Sequence, residues 1–276
     1  MKKEIKLIIC DIDGTLVNVD RKMMPITKKV FEKLHEQGVL LGIASGRPCG
    51  EHLASRAKGW GFDFQFDVII GMNGGQMWDV INDKHHEYYP LKKEYIKEII
   101  EFMNPTGINS YVYRGDSTLV RWYDERMYAS SIRNMEPMVV AQSDEEMWEK
   151  DNNKLLFRCK DIEEADYAMT VAADHPSEHY QFFKTAPIMV EFQDPRINKG
   201  VALKAFCKIH NIDLDCVAAF GDAQNDDEMI KTAGMGVAML NAGTSTMNAA
   251  DYISEYDYNN DGVGRFIQTH ILGEEN

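Results

Sequence analysis

Four short apolar runs constrain this chain more than anything else in it. They are Leu7-Ile8-Ile9-Cys10, Val39-Leu40-Leu41-Gly42-Ile43-Ala44, Asp67-Val68-Ile69-Ile70-Gly71 and Cys216-Val217-Ala218-Ala219-Phe220. None alternates polar with apolar, so each reads as a strand buried on both faces, the kind that builds a parallel sheet. Between the first two, Ile26, Val30 and Leu34 recur at helical spacing, with Pro25 at the start and Gly38 past the end. Strand, helix, strand, helix, strand is the rhythm of an α/β fold, here a Rossmann-like doubly wound parallel-sheet core.

The rhythm breaks after Asn82. Residues 83–190 mix β-rich pieces (Ser110 to Tyr113, Thr118 to Tyr123, Lys154 to Cys159, Tyr180 to Lys184) with helical ones, which predicts a separate α+β unit. The α/β pattern then returns, with a helix from Asn198 to His210, the strand Cys216 to Phe220, a helix from Asp226 to Thr232 and a short strand from Gly236 to Met239. The expected organisation is a core made of 1–82 and 191–276 with an α+β domain, 83–190, inserted in its middle. At 276 residues, both parts have room for a hydrophobic core.

The apolar runs end in unusual residues. The first runs into Asp11-Ile12-Asp13-Gly14-Thr15. At the C-terminal end of a strand both carboxylates would line the crevice where open α/β sheets bind ligands. Gly14 permits a sharp turn, and the Thr15 hydroxyl can hold a carboxylate. A simple Asp-Gly turn would use the same residues. The second run ends in Ser45-Gly46, a hydroxyl and an N–H suited to a phosphate oxygen, or else a plain loop. Lys199-Gly200 opens a helix, where the macrodipole favours anions. Lys199 therefore reads either as one arm of an anion site or as a solvated surface residue. The fourth run ends in Gly221-Asp222-Ala223-Gln224-Asn225-Asp226, with more acidic and amide groups than one helix cap requires.

Taken together, "DIDGTL", "SGR", "KG" and "GDAQND" resemble, in order and in strand-end context, the four motifs of the haloacid dehalogenase-like phosphohydrolases. "MNGG" at 72–75 and "DGV" at 261–263 are similar to elements of their Cof-type branch, whose large α+β cap matches the insertion in size and position. Ala223 and Gln224 depart from the usual small residues, and Ser45 stands where Thr is often found. The resemblance implies a phosphomonoesterase in which Asp11 is the nucleophile and Asp13 the general acid and base. It implies Mg²⁺ held by the Asp11 carboxylate, the Asp13 carbonyl and Asp222, with Thr15 and Asp226 in support. Ser45, Gly46, Lys199 and the N–H groups around Ile12 would hold the phosphoryl oxygens, and Asn225 would orient Lys199 or the phosphate. The cap would act as a lid and read the leaving group. Arg114, Glu191 and Asn73 are the expected substrate contacts, with Tyr111, Asp116 and Arg121 also in reach of that role.

The implied partner is a small phosphorylated metabolite, a sugar phosphate or a phosphorylated cofactor. A sugar phosphomutase would share the Asp-x-Asp apparatus, and a phospho-accepting signalling module would share Asp11. The net charge of −14 argues against nucleic acid and anionic membranes as partners. The apolar run behind Lys2 and Lys3 is too short for a signal peptide, and no stretch approaches a membrane span. Five cysteines, odd in number and without C-x-x-C spacing, suit a reducing, cytoplasmic setting. The oligomeric state is not encoded in any of these patterns.

Three other motifs compete for attention. Asp257 to Gly262 has the D-x-N-x-D-G opening of a calcium loop but Gln268 at its twelfth position, so a turn is expected. His175 and His179 have i, i+4 spacing but are separated by Pro176, which favours a loop over a zinc site. Gly234-Met235-Gly236 reads as a helix-to-strand turn.

Overall fold

A computed structural model describes residues 4–134 and 136–274. In chain order the strands are β1 (Leu7–Asp11), β2 (Leu40–Ala44), β3 (Val68–Gly71), β4 (Gln76–Asp79), β5 (Lys84–Glu87), β6 (Asn109–Arg114), β7 (Ser117–Val120), β8 (Met138–Val140), β9 (Lys154–Arg158), β10 (Gln181–Ala186), β11 (Met189–Gln193), β12 (Val217–Gly221), β13 (Met235–Ala238) and β14 (Tyr252–Ile253). The helices are α1 (Pro25–Glu36), α2 (Glu51–Ala54), α3 (Arg56–Gly59), α4 (Lys93–Met103), α5 (Glu125–Asn134), α6 (Asp144–Met147), α7 (Ile162–Ala173), α8 (Lys199–Ile209), α9 (Asp227–Thr232), α10 (Thr244–Ala249) and α11 (Gly262–Phe266). Among the described residues no helix is long and apolar enough to cross a membrane.

Among the described residues the first sheet has the order β14-β13-β12-β1-β2-β3-β4-β5. It is parallel from β14 to β3, and the β4–β5 hairpin extends it antiparallel. β1 lies between β2 and β12, with Leu7 opposite both Leu40 and Val217. The chain winds outward from β1 in one direction and returns to fill the other side later. Such a reversal of strand order leaves a crevice at the strands' carboxyl ends.

Local chemistry explains the packing around β1. All five residues of β1 are buried, as a strand covered on both faces requires. In α1, Pro25 sits in the first turn and Val30, Phe31 and Leu34 face the core. Gly38 takes a φ of +79°, closing the helix as the apolar spacing predicts. The α1 N-terminus is tied down from the far end of the chain. The buried Asp261 carboxylate accepts the Ile26 N–H at 2.6 Å, the Thr27 N–H at 2.8 Å and the Thr27 hydroxyl at 2.6 Å. Those bonds engage Asp261 with α1, while Asp257 caps the turn before it by accepting from Asn259 N and Asn260 N. The D-x-N-x-D-G stretch is thus a turn that joins α11 to α1.

The chain divides into two compact units, one of Met1–Cys49, Leu53–Glu87 and Asn198–Asn276, the other of Gly50–His52 and Tyr88–Ile197. The junctions fall near 87/88 and 197/198, not at 82/83 and 190/191. β5 is an edge strand of the first sheet and β11 an inner strand of the second, so each carries its unit's boundary several residues further along. The second unit has a sheet of order β10-β11-β9-β6-β7-β8. α4 and α7 bury Ile96, Ile99, Ile100, Ala165 and Ala168 with Val112, Leu155, Phe157, Val190 and Phe192 of one sheet face. Met127 of α5 packs with Tyr111, Val120 and Leu156 of the other. This is the inserted α+β fold, attached to a doubly wound α/β core.

His175 and His179 make two separate stacking contacts. The His175 ring lies 4.2 Å from that of Phe102, and the His179 ring 4.5 Å from that of Tyr95.

Candidate active site

The carboxyl ends of β1, β2 and β12, with the start of α8, bring the separated motifs together. Asn198 caps α8, its side chain accepting the Val201 N–H at 3.0 Å, and so presents Lys199 as the first helical residue. The Lys199 side chain runs inward and is fully buried. Its Nζ donates to Asp11 Oδ1 at 2.6 Å and to Asp226 Oδ1 at 2.5 Å. Lys199 is therefore no surface residue but the cation between two buried carboxylates.

Asp226 is held from two sides. Its other oxygen, Oδ2, accepts the N–H groups of Asp222 at 3.0 Å and Ala223 at 3.1 Å. This folds the loop after β12 back on itself and fixes Asp222 beside β1. Carboxylate oxygens of Asp11, Asp222 and Asp226 all lie within 4.8 Å of one another. Thr15 Oγ1 donates to Asp222 Oδ1 at 3.3 Å, so its hydroxyl holds a carboxylate. Asn241, just past β13, donates through Nδ2 to the Gly14 carbonyl at 3.0 Å and to Asp222 Oδ2 at 3.4 Å. No motif singles out Asn241 in the sequence; its one signal is that it too follows a core strand's end.

Gly14 has a φ of +88°, and a Cβ there would lie 2.4 Å from Asp222 Oδ2. Gly14→Ala must move Asp222 or bend the turn. If the site is catalytic, kcat/KM is expected to fall about 10²-fold, as an ångström-scale misplacement does. Steady-state assays on a folded variant, checked by circular dichroism, measure this.

The charges are unbalanced, with three carboxylates facing one ammonium. Burial raises the Asp11 pKa well above its ordinary value and Asp226 raises it further, while Lys199 opposes both. Burial and then Asp226 push Asp222 up to about 6, against Lys199 and the Thr15 hydrogen bond. Burial alone would lower the Lys199 pKa, but Asp11 and Asp226 hold it above the usual lysine value. Such a group calls for a further positive charge.

The remaining expected residues divide by location. Asp13 points outward, its side chain 55% exposed and its Oδ2 3.8 Å from Arg47 Nη2. The Ile12 side chain is in the core, and its carbonyl accepts the Leu16 N–H at 3.0 Å. Ser45 is buried at the end of β2, its N–H donating to the Ile70 carbonyl and its Oγ accepting from Arg47 N at 3.2 Å. Gly46 follows it, half-buried.

The other expected residues each have partners within the protein. Asn225 Nδ2 donates to Asn73 Oδ1 at 3.1 Å, and the Lys199 ammonium donates to Asp11 and Asp226, which leaves the phosphate as the group Asn225 could orient. Asn73 is accordingly engaged within the core. Asp226 lies in the same carboxylate group as Asp11 and Asp222 and holds Lys199 and the loop after β12. In the second unit, Arg114 donates to the Glu146 and Met147 carbonyls, both at 3.3 Å, capping the end of α6. Glu191 is fully buried on β11 and accepts from Lys154 Nζ at 3.2 Å. A charge inside a strand looks functional in sequence, but the ladder places Glu191 beside a lysine of the neighbouring strand. Tyr111 is likewise buried, and Arg121 pairs through Nε with Asp144 Oδ1 at 2.5 Å.

A doubly wound sheet with an Asp-x-Asp strand end, an inward lysine and an acidic loop defines a haloacid dehalogenase-like hydrolase. Residues 8–267 match the model of that family, and the chain belongs to it, in its Cof-type branch. The chain is 29% identical over 274 residues to a 5-amino-6-(5-phospho-D-ribitylamino)uracil phosphatase of Bacillus subtilis, covering 98% of this chain and 97% of that one. It is 25% identical over 276 residues to a phosphoglycolate phosphatase of Methanobrevibacter smithii, covering 97% and 99%. A solved haloacid dehalogenase-like hydrolase from Bacteroides thetaiotaomicron superposes over 96% of this chain and 99% of its own, with 25% identity and a TM-score of 0.83.

Proposed function

We propose that this enzyme is a Mg²⁺-dependent phosphomonoesterase acting through an aspartyl-phosphate on small organic phosphates, sugar phosphates or phosphorylated cofactors. The observation that carries this reading is the fully buried Lys199 ammonium between Asp11 and Asp226 at a strand-end crevice. The relatives named for phosphatases of small phosphorylated molecules support it.

In this reading an Asp11 carboxylate oxygen attacks phosphorus, and the bond from phosphorus to the ester oxygen breaks. Asp13 gives its proton to the departing alkoxide. Asp13 then takes a proton from water as that water attacks the aspartyl-phosphate. The bond from phosphorus to Asp11 breaks, releasing inorganic phosphate and restoring the carboxylate. The exposure of Asp13 suits a group that must meet both leaving group and water. Ser45, Gly46 and Lys199 hold phosphoryl oxygens, where charge stabilisation matters more than covalent help.

The donor set fits Mg²⁺: every oxygen is hard, and the carboxylates outnumber the ammonium. Asp11, Asp222 and the Asp13 carbonyl would hold it with Asp226 beside them, and it would neutralise charge on the phosphoryl oxygens. The net charge of −14 supports a small-molecule partner, not nucleic acid or a membrane. Free thiols at Cys10, Cys159, Cys207 and Cys216, all buried, are compatible with a cytoplasmic setting.

The test is a panel of sugar phosphates, nucleotides, flavin mononucleotide and pyridoxal phosphate, assayed for released phosphate. Activity is expected to vanish with EDTA and return with Mg²⁺. Mg²⁺ added to the metal-free protein is expected to raise its melting temperature by several degrees, because the folded state alone has the site. Phosphate passed to a second hydroxyl of a sugar, without release, would make the enzyme a mutase. A phospho-protein lasting minutes would make it a signalling module.

A further inference from the structure

We propose that Asn73 is a positioning residue for the phosphoryl-transfer site. Through it, the left-handed turn Met72–Gly74 joins the Ser45 loop, the Lys199 helix and the Asn225 loop. The inference rests on the phosphatase reading but assigns a role that the reading does not require.

The turn lies between β3 and β4 and is costly in itself. Met72, Asn73 and Gly74 have φ values of +50°, +55° and +99°. Side-chain-bearing residues avoid this region, and such strain persists where the surroundings over-determine it. Each residue here meets a different part of the site. The Met72 N–H donates to the Arg47 carbonyl at 2.8 Å and the Asn73 N–H to the Ser45 carbonyl at 3.1 Å. The loop after β2 is thereby fixed by two bonds. A Cβ on Gly74 would lie 2.1 Å from the Asn198 carbonyl oxygen and 2.9 Å from Lys199 N, so the backbone of the turn abuts the start of α8. Asn73, only 3% exposed, accepts from Asn225 Nδ2 at 3.1 Å.

The other end of α8 is anchored to the same hairpin. His210, just past α8, lies with Nε2 3.0 Å from Oδ2 of Asp79, the last residue of β4. A hairpin turn needs left-handed residues but has no need of a buried side-chain amide bonded to a loop 152 positions away. That bond is the part of the arrangement turn chemistry leaves unexplained. Asn73 holds the Asn225 loop in register with the Ser45 loop while Gly74 seats Lys199.

The experiment separates the amide from the turn. Asn73→Gly keeps a residue that tolerates the left-handed backbone and removes the bond to Asn225, and Asn225→Ala removes it from the other side. With p-nitrophenyl phosphate and Mg²⁺, each variant is expected to lose about tenfold in kcat with KM within about twofold of wild type. The double variant is expected to lose no more than either single one, because the two act through one bond. Melting curves must show each variant folded. Should Asn73→Gly prove unstable, Asn73→Asp keeps an acceptor for Asn225 Nδ2 and is expected to retain most of kcat. An Asn73→Gly variant with wild-type kcat, or losses that multiply in the double variant, would overturn the inference while the phosphatase reading stood. A wild-type protein that hydrolyses no ester in the panel would overturn both.

Discussion

Replacing Asp11 by asparagine is expected to remove phosphate release while leaving the metal-free fold at least as stable as the wild type. Loss of a nucleophile in a site whose parts act as a unit costs about 10⁴-fold or more in kcat. An amide cannot attack phosphorus as a carboxylate does. Stability moves the other way for an electrostatic reason. Burial and Asp226 disfavour the charged Asp11 carboxyl more than Lys199 favours it, which is why its pKa lies well above the ordinary range. Asparagine keeps the shape and removes the charge. Single-turnover assays and thermal melts in EDTA measure the two halves. Residual kcat within tenfold of wild type, or a fall of many degrees in melting temperature, would refute the assignment.

Lys199→Met should do the opposite to stability. Its fully buried ammonium is the hydrogen-bonding cation of both Asp11 and Asp226. Methionine of similar length fills the space and leaves the carboxylates without it. Removing one partner of a buried ion pair typically costs about 3–5 kcal/mol, a large part of a protein's whole stability. Urea unfolding in EDTA is the measurement. The two predictions are coupled: in the double variant Asp11→Asn with Lys199→Met, one uncompensated carboxylate is gone. Its loss should be smaller than that of Lys199→Met alone. Activity should be lost in both Lys199 variants.

Legibility in the sequence differs between core and insertion for physical reasons. Asp11, Ser45 and Asp222 are legible because each ends a run such as Leu7 to Cys10, and a strand buried on both faces has few reasons to stop at a charge. Chain direction then places all such ends on one side of a parallel sheet. The partner of Asn225 is not legible, because hydrogen bonds between loops depend on backbone path. The distance from Asp226 to Asp11 is likewise not legible, since only the return of its loop onto the N–H groups of Asp222 and Ala223 sets its place. β5 is hidden because Lys84-His85-His86-Glu87 is a polar edge strand without a periodic apolar signal. In the insertion, Glu191 and Arg114 attract attention as charges in β-rich segments. One is neutralised across a ladder and the other serves a helix end, and neither arrangement leaves a trace in local spacing.

The strand order also bears on how the chain is made. Leu7 in β1 pairs with Val217 in β12, so the sheet's central strand waits for a neighbour that leaves the ribosome roughly 200 residues later. The unit built largely from Tyr88–Ile197 is nearly continuous and has its own apolar cluster, so it can fold while the rest is still being synthesised. A nascent chain stopped before β12 has β1 paired on one side only, and Asp11 lacks Asp222 and Asp226. Because those acidic residues follow the inserted segment, the carboxylate group is assembled only after Tyr88–Ile197 has been synthesised.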